Sequence, residues 1–177
     1  MINYSKQNIT KKDISSVIKT LKSEFITTGP ITELFEKNFK NKVKSKFAVS
    51  CSSGTAALQL ALNSMNIKKG DVVILPVINF IASLNILELL KAKVYFADTD
   101  PNTGQMSPKN LLDCIKKNKI KNIKAVITMY NGGDPLNAKA FFKIKKKYKF
   151  FLLEDACHAL GGKYYSTGNH YVGSCKF

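Results

Sequence analysis

The feature that most constrains the fold of this chain is the alternation of short apolar runs with longer amphipathic segments. Runs rich in valine, isoleucine, leucine and phenylalanine recur along the sequence, and loops separate them from stretches with helical periodicity. Strands that alternate with helices of about 10–15 residues indicate parallel pairing through right-handed crossovers. We therefore predict an α/β fold with a mostly parallel sheet and helices on both of its faces.

The individual elements follow from the same pattern. Thr10 and Asp13 form a capping pair that opens a first helix, and a second helix follows Gly29 and Pro30. The predicted strands are residues 47–50, 72–75, 94–97, 125–129 and 150–153. Two later helices are predicted to begin at Thr55 and at Phe80. Two more are predicted at residues 107–117 and 137–148. No internal repeat, linker or low-complexity tract interrupts this order, and the length of 177 residues suits one domain.

The stretch FFLLEDACHALG at residues 150–161 predicts a functional site. Its four apolar residues indicate a buried strand, and an acidic pair and a histidine follow where that strand should end. Ligands of open α/β sheets bind beyond the carboxyl ends of the strands. Asp155 and His158 are therefore predicted to face a ligand. The alternative is that Asp155 caps a following helix.

The stretch FAVSCSSGTAALQLAL at residues 47–62 predicts an anion site. A short strand leads into small residues and then into a helix, whose first backbone amides attract an anion. The hydroxyls of Ser53 and Thr55 add hydrogen-bond donors. The alternative is ordinary helix capping by Ser52 or Ser53. The spacing matches neither the Walker phosphate loop nor the GxGxxG fingerprint, so ATP and NAD are not indicated.

The net charge of +16 raises the question of a nucleic-acid partner. All 28 basic residues are lysine, and arginine, the residue favoured for reading guanine, is absent. The lysine runs at residues 116–121 and 143–149 lie at helical spacing beside apolar positions, which is typical of solvated helix faces. We therefore expect no specific nucleic-acid partner. A basic α/β binding module is the alternative to an enzyme.

The sequence also predicts the compartment. The N terminus leads into polar residues, and the apolar stretch at residues 72–90 is interrupted by Pro76, Asn79, Asn85 and Glu88. We therefore expect neither a signal peptide nor a membrane span, and a cytoplasmic protein. The four cysteines show no paired CxxC spacing, so we expect reduced thiols and no metal.

Six separated motifs occur in order along the chain. They are YSKQNI (4–9), TTGP (27–30), SGTAAL (53–58), PVINFIAS (76–83), DACHALG (155–161) and VG (172–173). Together they resemble the DegT/DnrJ/EryC1/StrS family of pyridoxal-phosphate (PLP) sugar aminotransferases. The resemblance runs from residue 4 to 177 and implies the large domain of the aspartate-aminotransferase fold, PLP fold type I. The nearest likeness is to the pseudaminic-acid branch, which aminates a UDP-linked 4-keto-6-deoxy amino sugar.

The resemblance implies a role for each matched residue. Asp155 would keep the ring nitrogen of PLP protonated, so that PLP acts as an electron sink. Phe80 would stack on the ring, and His158 would lie beside it. The implied cofactor-binding residues are Ser53, Gly54, Thr55, Phe80, Asp155 and His158. Of these, Asp155 and His158 are also the catalytic candidates. The residues implied to contact the sugar nucleotide are Tyr4, Thr27 and Thr28. From the residues alone, a core phenylalanine is the commoner interpretation of Phe80.

The family's catalytic lysine, which forms a Schiff base with PLP, is not matched. It lies in a Ser-Phe-His-x-x-Lys segment shortly after the Val-Gly pair that Val172 and Gly173 match. The sequence stops at Phe177, before that segment, and Lys176 comes too early for the role. We therefore expect residues 1–177 to be an incomplete large domain, inactive by itself and without the small C-terminal domain. For the full-length protein, the resemblance implies a homodimer that transfers an amino group from glutamate to a 4-keto nucleotide sugar.

Two departures from the family pattern limit the choice of substrate. Asn79 stands where a serine or threonine is usual, and Met129 replaces a more polar residue. A related branch carries out 3-dehydration with histidine in place of the lysine. The alternatives within enzymes are therefore another sugar aminotransferase or a PLP-dependent sugar 3-dehydratase.

Overall fold

The computed structural model describes residues 6–165 and 170–175. This part of the chain forms one four-stranded sheet and six α-helices. The helices are α1 (Lys11–Leu21), α2 (Pro30–Val43), α3 (Gly54–Ser64), α4 (Ala82–Leu89), α5 (Pro108–Lys117) and α6 (Ala138–Tyr148). The strands are β1 (Val72–Pro76), β2 (Lys93–Ala97), β3 (Ala125–Met129) and β4 (Phe151–Asp155).

The sheet is parallel throughout, with the strand order β2-β1-β3-β4. The register of β3 and β4 runs from Ala125 opposite Phe151 to Met129 opposite Asp155. These two strands therefore end side by side, and the loops that follow them leave from one edge of the sheet. The predicted α/β fold with parallel pairing is confirmed.

Two apolar cores cover the two faces of the sheet. Neighbouring residues of a strand point to opposite faces, so Val73 packs with Leu62 of α3 on one face, and Ile74 packs with Leu111 of α5 on the other. Helices α3 and α4 cover the first face, and α5 and α6 cover the second. The prediction of helices on both faces is confirmed.

Most helix starts were predictable from local signals. The Thr10 amide donates to the Asp13 carboxylate at 2.7 Å, and the Thr10 hydroxyl accepts from the Asp13 amide, which is the predicted capping box. Ser107 caps α5 by accepting from the amide of Asn110. The helix expected from Thr55 begins one residue earlier, and the helix expected from Phe80 begins at Ala82.

The predicted strand at residues 47–50 is wrong. Within the described chain this segment pairs with no strand, and Phe47 and Val49 are 73% and 78% exposed. The backbone amide and the hydroxyl of Ser50 both donate to Glu36 of α2, each at 2.7 Å. An apolar run becomes a strand only where a neighbouring strand satisfies its backbone groups, and here a helix side chain takes that position.

The N-terminal helices leave apolar side chains uncovered. No residue of α1 is buried, and its apolar stripe includes Ile14, Val17, Ile18 and Leu21, each about half exposed. Phe35 and Phe39 extend the exposed surface along α2. None of the helices in the described ranges is long and apolar enough to cross a membrane.

Candidate active site

A cavity of about 420 Å³ lies at the carboxyl edge of the sheet. The first turn of α3, the segment after β1 and the end of β4 line it. Five of the predicted site residues are among its lining residues: Gly54, Thr55, Phe80, Asp155 and His158. Residues separated by about a hundred positions in the chain therefore meet at one place, because parallel strands bring their carboxyl ends to the same edge.

Two larger cavities lie elsewhere. One, of about 660 Å³, opens at the amino ends of β1 and β2 beside Lys93, Lys119 and Lys124. The other, of about 850 Å³, is a groove beside α5. Neither contains a predicted site residue, and ligands of open α/β sheets bind at the opposite, carboxyl edge. The cavity that contains Asp155 is therefore the candidate active site.

The start of α3 combines a cap with free amides. Ser53 has an extended backbone, and its hydroxyl accepts from the amide of Ala56 at 3.1 Å. Ser53 is thus the helix cap, the alternative that the sequence left open, and it does not itself line the cavity. The first-turn amides, among them those of Gly54 and Thr55, have no carbonyl partner within the helix. They form a positive helix end beside the cavity.

Asp155 is the last residue of β4 and is 7% exposed. The acidic pair therefore belongs to the strand instead of following it, because the pairing with β3 continues to Met129. No helix begins after Asp155 in the described chain, so the helix-cap alternative for this residue is wrong. The Asp155 carboxylate instead accepts from the backbone amide of Cys157 at 3.2 Å.

The thiol of Cys157 lies against the same carboxylate. The pKa of the Cys157 thiol is raised to about 11. The largest cause is a hydrogen bond to Asp155, and the second is burial. The sulfur also lies 3.7 Å from the point where a Cβ on Gly54 would stand, so it separates Asp155 from the start of α3. No role was predicted for Cys157, although its position two residues after Asp155 was the available signal.

Phe80 and His158 complete the cavity. Phe80 is 57% exposed, which argues against the interpretation as a core residue. The Gly132 amide donates to Nδ1 of His158 at 3.3 Å. A Cβ on Gly133 would stand 2.6 Å from the carbonyl oxygen of His158, and the φ of Gly133 is +89°. Glycine at this position therefore allows the two loops after β3 and β4 to approach closely.

Two of the other predicted residues are not at the cavity. Thr27 and Thr28 lie in the exposed connection between α1 and α2, and neither lines the cavity. Tyr4 and Lys176 lie outside the described residues. Asn79 and Met129, the two departures from the family pattern, do line it. The side-chain amide of Asn79 donates to the carbonyl of Pro76 at 2.5 Å, which holds it at the end of β1.

Comparison with known proteins shows the family of this chain. The family model for the DegT/DnrJ/EryC1/StrS aminotransferase family matches residues 7–176. The chain belongs to this family. The family resemblance is therefore confirmed over almost all of the sequence.

Individual relatives and solved structures are similar as well. An uncharacterized protein of Methanocaldococcus jannaschii is 38% identical over 88% of this chain and 39% of its own length. The UDP-4-amino-4-deoxy-L-arabinose–oxoglutarate aminotransferase of Shewanella sediminis is 33% identical over 96% of this chain and 42% of its own length. A Streptococcus pneumoniae protein assigned as a sugar aminotransferase, solved in its PLP form, superposes with a TM-score of 0.83 and 28% identity over 96% of this chain and 47% of its own.

This family member thus spans about two fifths of the length of the curated relatives it matches. Its α/β fold with a parallel sheet matches that of the aminotransferase structures over the shared part. What the whole protein does is accordingly a matter of proposal.

Proposed function

We propose that this chain forms the cofactor-binding part of a PLP-dependent aminotransferase that moves an amino group from glutamate to a 4-keto-6-deoxy nucleotide sugar. The observation that carries the proposal is the meeting of a buried carboxylate, an exposed aromatic ring and a helix N-terminus around one cavity. Asp155, Phe80 and Thr55 supply these three features. Family membership supports the same chemistry.

The residues present fit PLP as the ligand. Its phosphate is an anion, and the first-turn amides of α3 at Gly54 and Thr55 suit an anion. Ser53 contributes indirectly, because its hydroxyl bonds the Ala56 amide and thereby fixes the direction of the other amides. A cavity of about 420 Å³ with an apolar wall and few polar groups is typical of a small-molecule site.

The proposed role of Asp155 is to hold a proton at the ring nitrogen of the cofactor. PLP supplies an electron sink, and it does so effectively only while that nitrogen is protonated. Asp155 is the buried last residue of an edge strand, so its carboxylate is shielded from water and its interaction with a cationic ring nitrogen would be strong. Phe80 would orient the ring by contact with one face, and His158, whose Nδ1 accepts from the Gly132 amide, would lie beside the ring.

The proposed substrates are a nucleotide sugar and glutamate. Support comes from the Shewanella relative, whose name specifies a UDP-amino sugar and oxoglutarate, the keto product of glutamate. We keep the pseudaminic-acid branch as the specific proposal. Another sugar aminotransferase or a sugar 3-dehydratase is the alternative. Asn79 and Met129 line the cavity and are expected to affect the choice of sugar, whereas the residue at the unmatched lysine position would separate transamination from 3-dehydration. We further propose that the whole protein is a homodimer.

Titration of the 177-residue chain with PLP tests the cofactor assignment. Asp155→Asn should weaken PLP binding by roughly 10- to 100-fold, the equivalent of the 1.5–3 kcal/mol of a hydrogen bond to a charged group. Asp113→Asn is the matched control, because Asp113 is exposed and its carboxylate pairs with Lys109 on the surface of α5.

Two results would contradict the proposal. One is the absence of saturable PLP binding to the unmodified chain. The other is equal affinity of the Asp155→Asn and Asp113→Asn variants. Salt-dependent binding to mixed DNA, in place of PLP binding, would favour the basic binding module.

A further inference from the structure

A second carboxylate lies beside Asp155 but on the opposite face of the sheet. Glu154 precedes Asp155 in β4, and neighbouring strand residues point to opposite faces. One oxygen of Glu154 accepts from the hydroxyl of Tyr130, and the other accepts from the hydroxyl of Tyr164 at 2.9 Å. We call these three residues the Glu154 cluster.

The Glu154 cluster is enclosed. Tyr130 and Tyr164 are 2% and 1% exposed and belong to a small apolar core beyond the strand ends. The pKa of both hydroxyls is raised above its usual value, mainly by burial and secondly by the charge of Glu154. Both hydroxyls therefore stay protonated and act as hydrogen-bond donors. Within residues 6–165 and 170–175, no lysine lies within salt-bridge distance of Glu154. Within this part of the chain, the hydroxyls of Tyr130 and Tyr164 are therefore the groups that stabilise the Glu154 carboxylate, by donating hydrogen bonds to it.

The cluster touches the candidate active site through the backbone. The amide of Tyr130 donates to the carbonyl of Asp155 at 3.0 Å. Tyr130 thus holds Asp155 by its main chain and Glu154 by its side chain. Because both bonds converge on the last two residues of β4, the direction in which the chain leaves this strand depends on them.

The cluster also holds the far end of the next loop. Residues 156–162 leave β4 and carry Cys157 and His158 past the cavity. Two residues after this loop, Tyr164 returns to Glu154, and its hydroxyl also receives a backbone hydrogen bond from Gly173. The amide of Val172 donates to the carbonyl of Gly162 at 3.0 Å. The loop is therefore attached at its start by Asp155 and at its end by Tyr164, and Glu154 joins the two.

We infer that Glu154 is a positioning residue, whose carboxylate joins Tyr130 and Tyr164 and so fixes the loop at residues 156–162 over the cavity on the other face of the sheet. This inference rests on the proposed function insofar as the cavity holds PLP. Glu154 itself does not touch that ligand. Its effect reaches the cavity only through Asp155 and the loop.

The test compares Glu154→Gln and Tyr164→Phe with Tyr165→Phe in the 177-residue chain. Tyr165 is the matched control, because it is the next residue and is 70% exposed. Hydrogen exchange of the amides at residues 156–164 and the NMR resonances of the His158 ring are measured without cofactor, and the affinity for PLP is measured separately.

Both cluster variants should raise exchange at residues 156–164 by roughly tenfold while α5 and α6 exchange as before, because only a local opening is affected. They should also shift the His158 resonances and weaken PLP binding several-fold, whereas Tyr165→Phe should change none of these. The double variant Glu154→Gln/Tyr164→Phe should open the loop by less than the sum of the two single effects, since both substitutions remove the link between Glu154 and Tyr164.

Unchanged exchange in the loop, a uniform rise over the whole chain, or unchanged PLP affinity in an opened loop would each overturn the inference. If Glu154→Gln does not fold, Tyr164→Phe decides, because it leaves the carboxylate and Tyr130 in place. A chain that never binds PLP would refute the proposed function alone, since loop exchange and the His158 resonances would still show whether Glu154 positions the loop.

Discussion

The backbone amide of Cys157 donates to the carboxylate of Asp155 at 3.2 Å, and the Cys157 thiol lies against the same carboxylate. The contact with Asp155, together with burial, raises the pKa of the thiol from 9.0 to about 11. The reactive form of cysteine is the thiolate. Because the pKa of the Cys157 thiol is raised, only a small fraction of it is thiolate near neutral pH. Substitution of either Asp155 or Cys157 would remove this contact.

Asp155→Asn should accelerate alkylation of Cys157 at pH 8 by about tenfold. The loss of the anion lowers the thiol pKa and increases the thiolate fraction, while the lower basicity of that thiolate offsets part of the gain. The rate is measured for each cysteine by mass spectrometry, with exposed Cys51 as the internal reference. Equal Cys157 rates in the two proteins would show that Asp155 does not hold this thiol.

Ser53→Ala and Ser107→Ala should have the same effect on stability but different effects on ligand binding. Each serine caps a helix by accepting from an amide of the first turn, so each change should cost about 1 kcal/mol of unfolding free energy. Helix α3 begins at the cavity, whereas no residue of α5 lines it. Denaturant unfolding and PLP titration should show weaker binding for Ser53→Ala alone. Equal loss of affinity in both variants would contradict an anion site at α3.

The contact between Glu36 and Ser50 should make stability depend on pH. Two hydrogen bonds from Ser50 lower the pKa of Glu36 below its ordinary value of 4.5. The bond from the backbone amide has the larger effect, and the bond from the hydroxyl has the smaller one. The stabilisation is therefore present above pH 4.5 and is lost as the pH falls through the lowered folded-state value. Glu36→Gln should be less stable than the unmodified chain at pH 7, and the difference should disappear in acid. Urea unfolding at several pH values measures it, with Glu88→Gln, which is exposed on α4, as the control.

The apolar stripe of α1 should cause the 177-residue chain to associate. Val17 and Leu21 are 58% and 60% exposed on a helix that buries none of its residues, and such patches favour association. Val17→Glu/Leu21→Glu should lower the mass measured by light scattering. The matched control is Leu60→Glu/Leu89→Glu, which adds the same charge at exposed apolar positions of α3 and α4. A monodisperse monomer before any substitution would contradict the prediction.

Much of the fold could be predicted because its signals are local. The capping box at Thr10 and Asp13, the cap at Ser107 and the apolar runs of β1 to β4 each depend on a few neighbouring residues. Alternation of strands with helices then restricts the sheet to parallel pairing. The predicted site residues Thr55, Phe80 and Asp155 meet at one cavity for the same reason, since each lies at a carboxyl edge of that sheet or at the helix beside it.

The sequence by itself therefore determined the family, the parallel α/β fold and five of the residues that line the cavity. Only the tertiary structure decided that residues 47–50 do not pair as a strand, because Glu36, 14 residues before Ser50, takes the Ser50 amide. It also decided that Asp155 and Glu154 serve different faces of β4, because the register with Met129 extends the strand through both residues. The two tyrosines that bond Glu154 are 24 and 10 residues away from it in the chain. No local pattern encodes such contacts, because they depend on which chain segments the whole fold brings together.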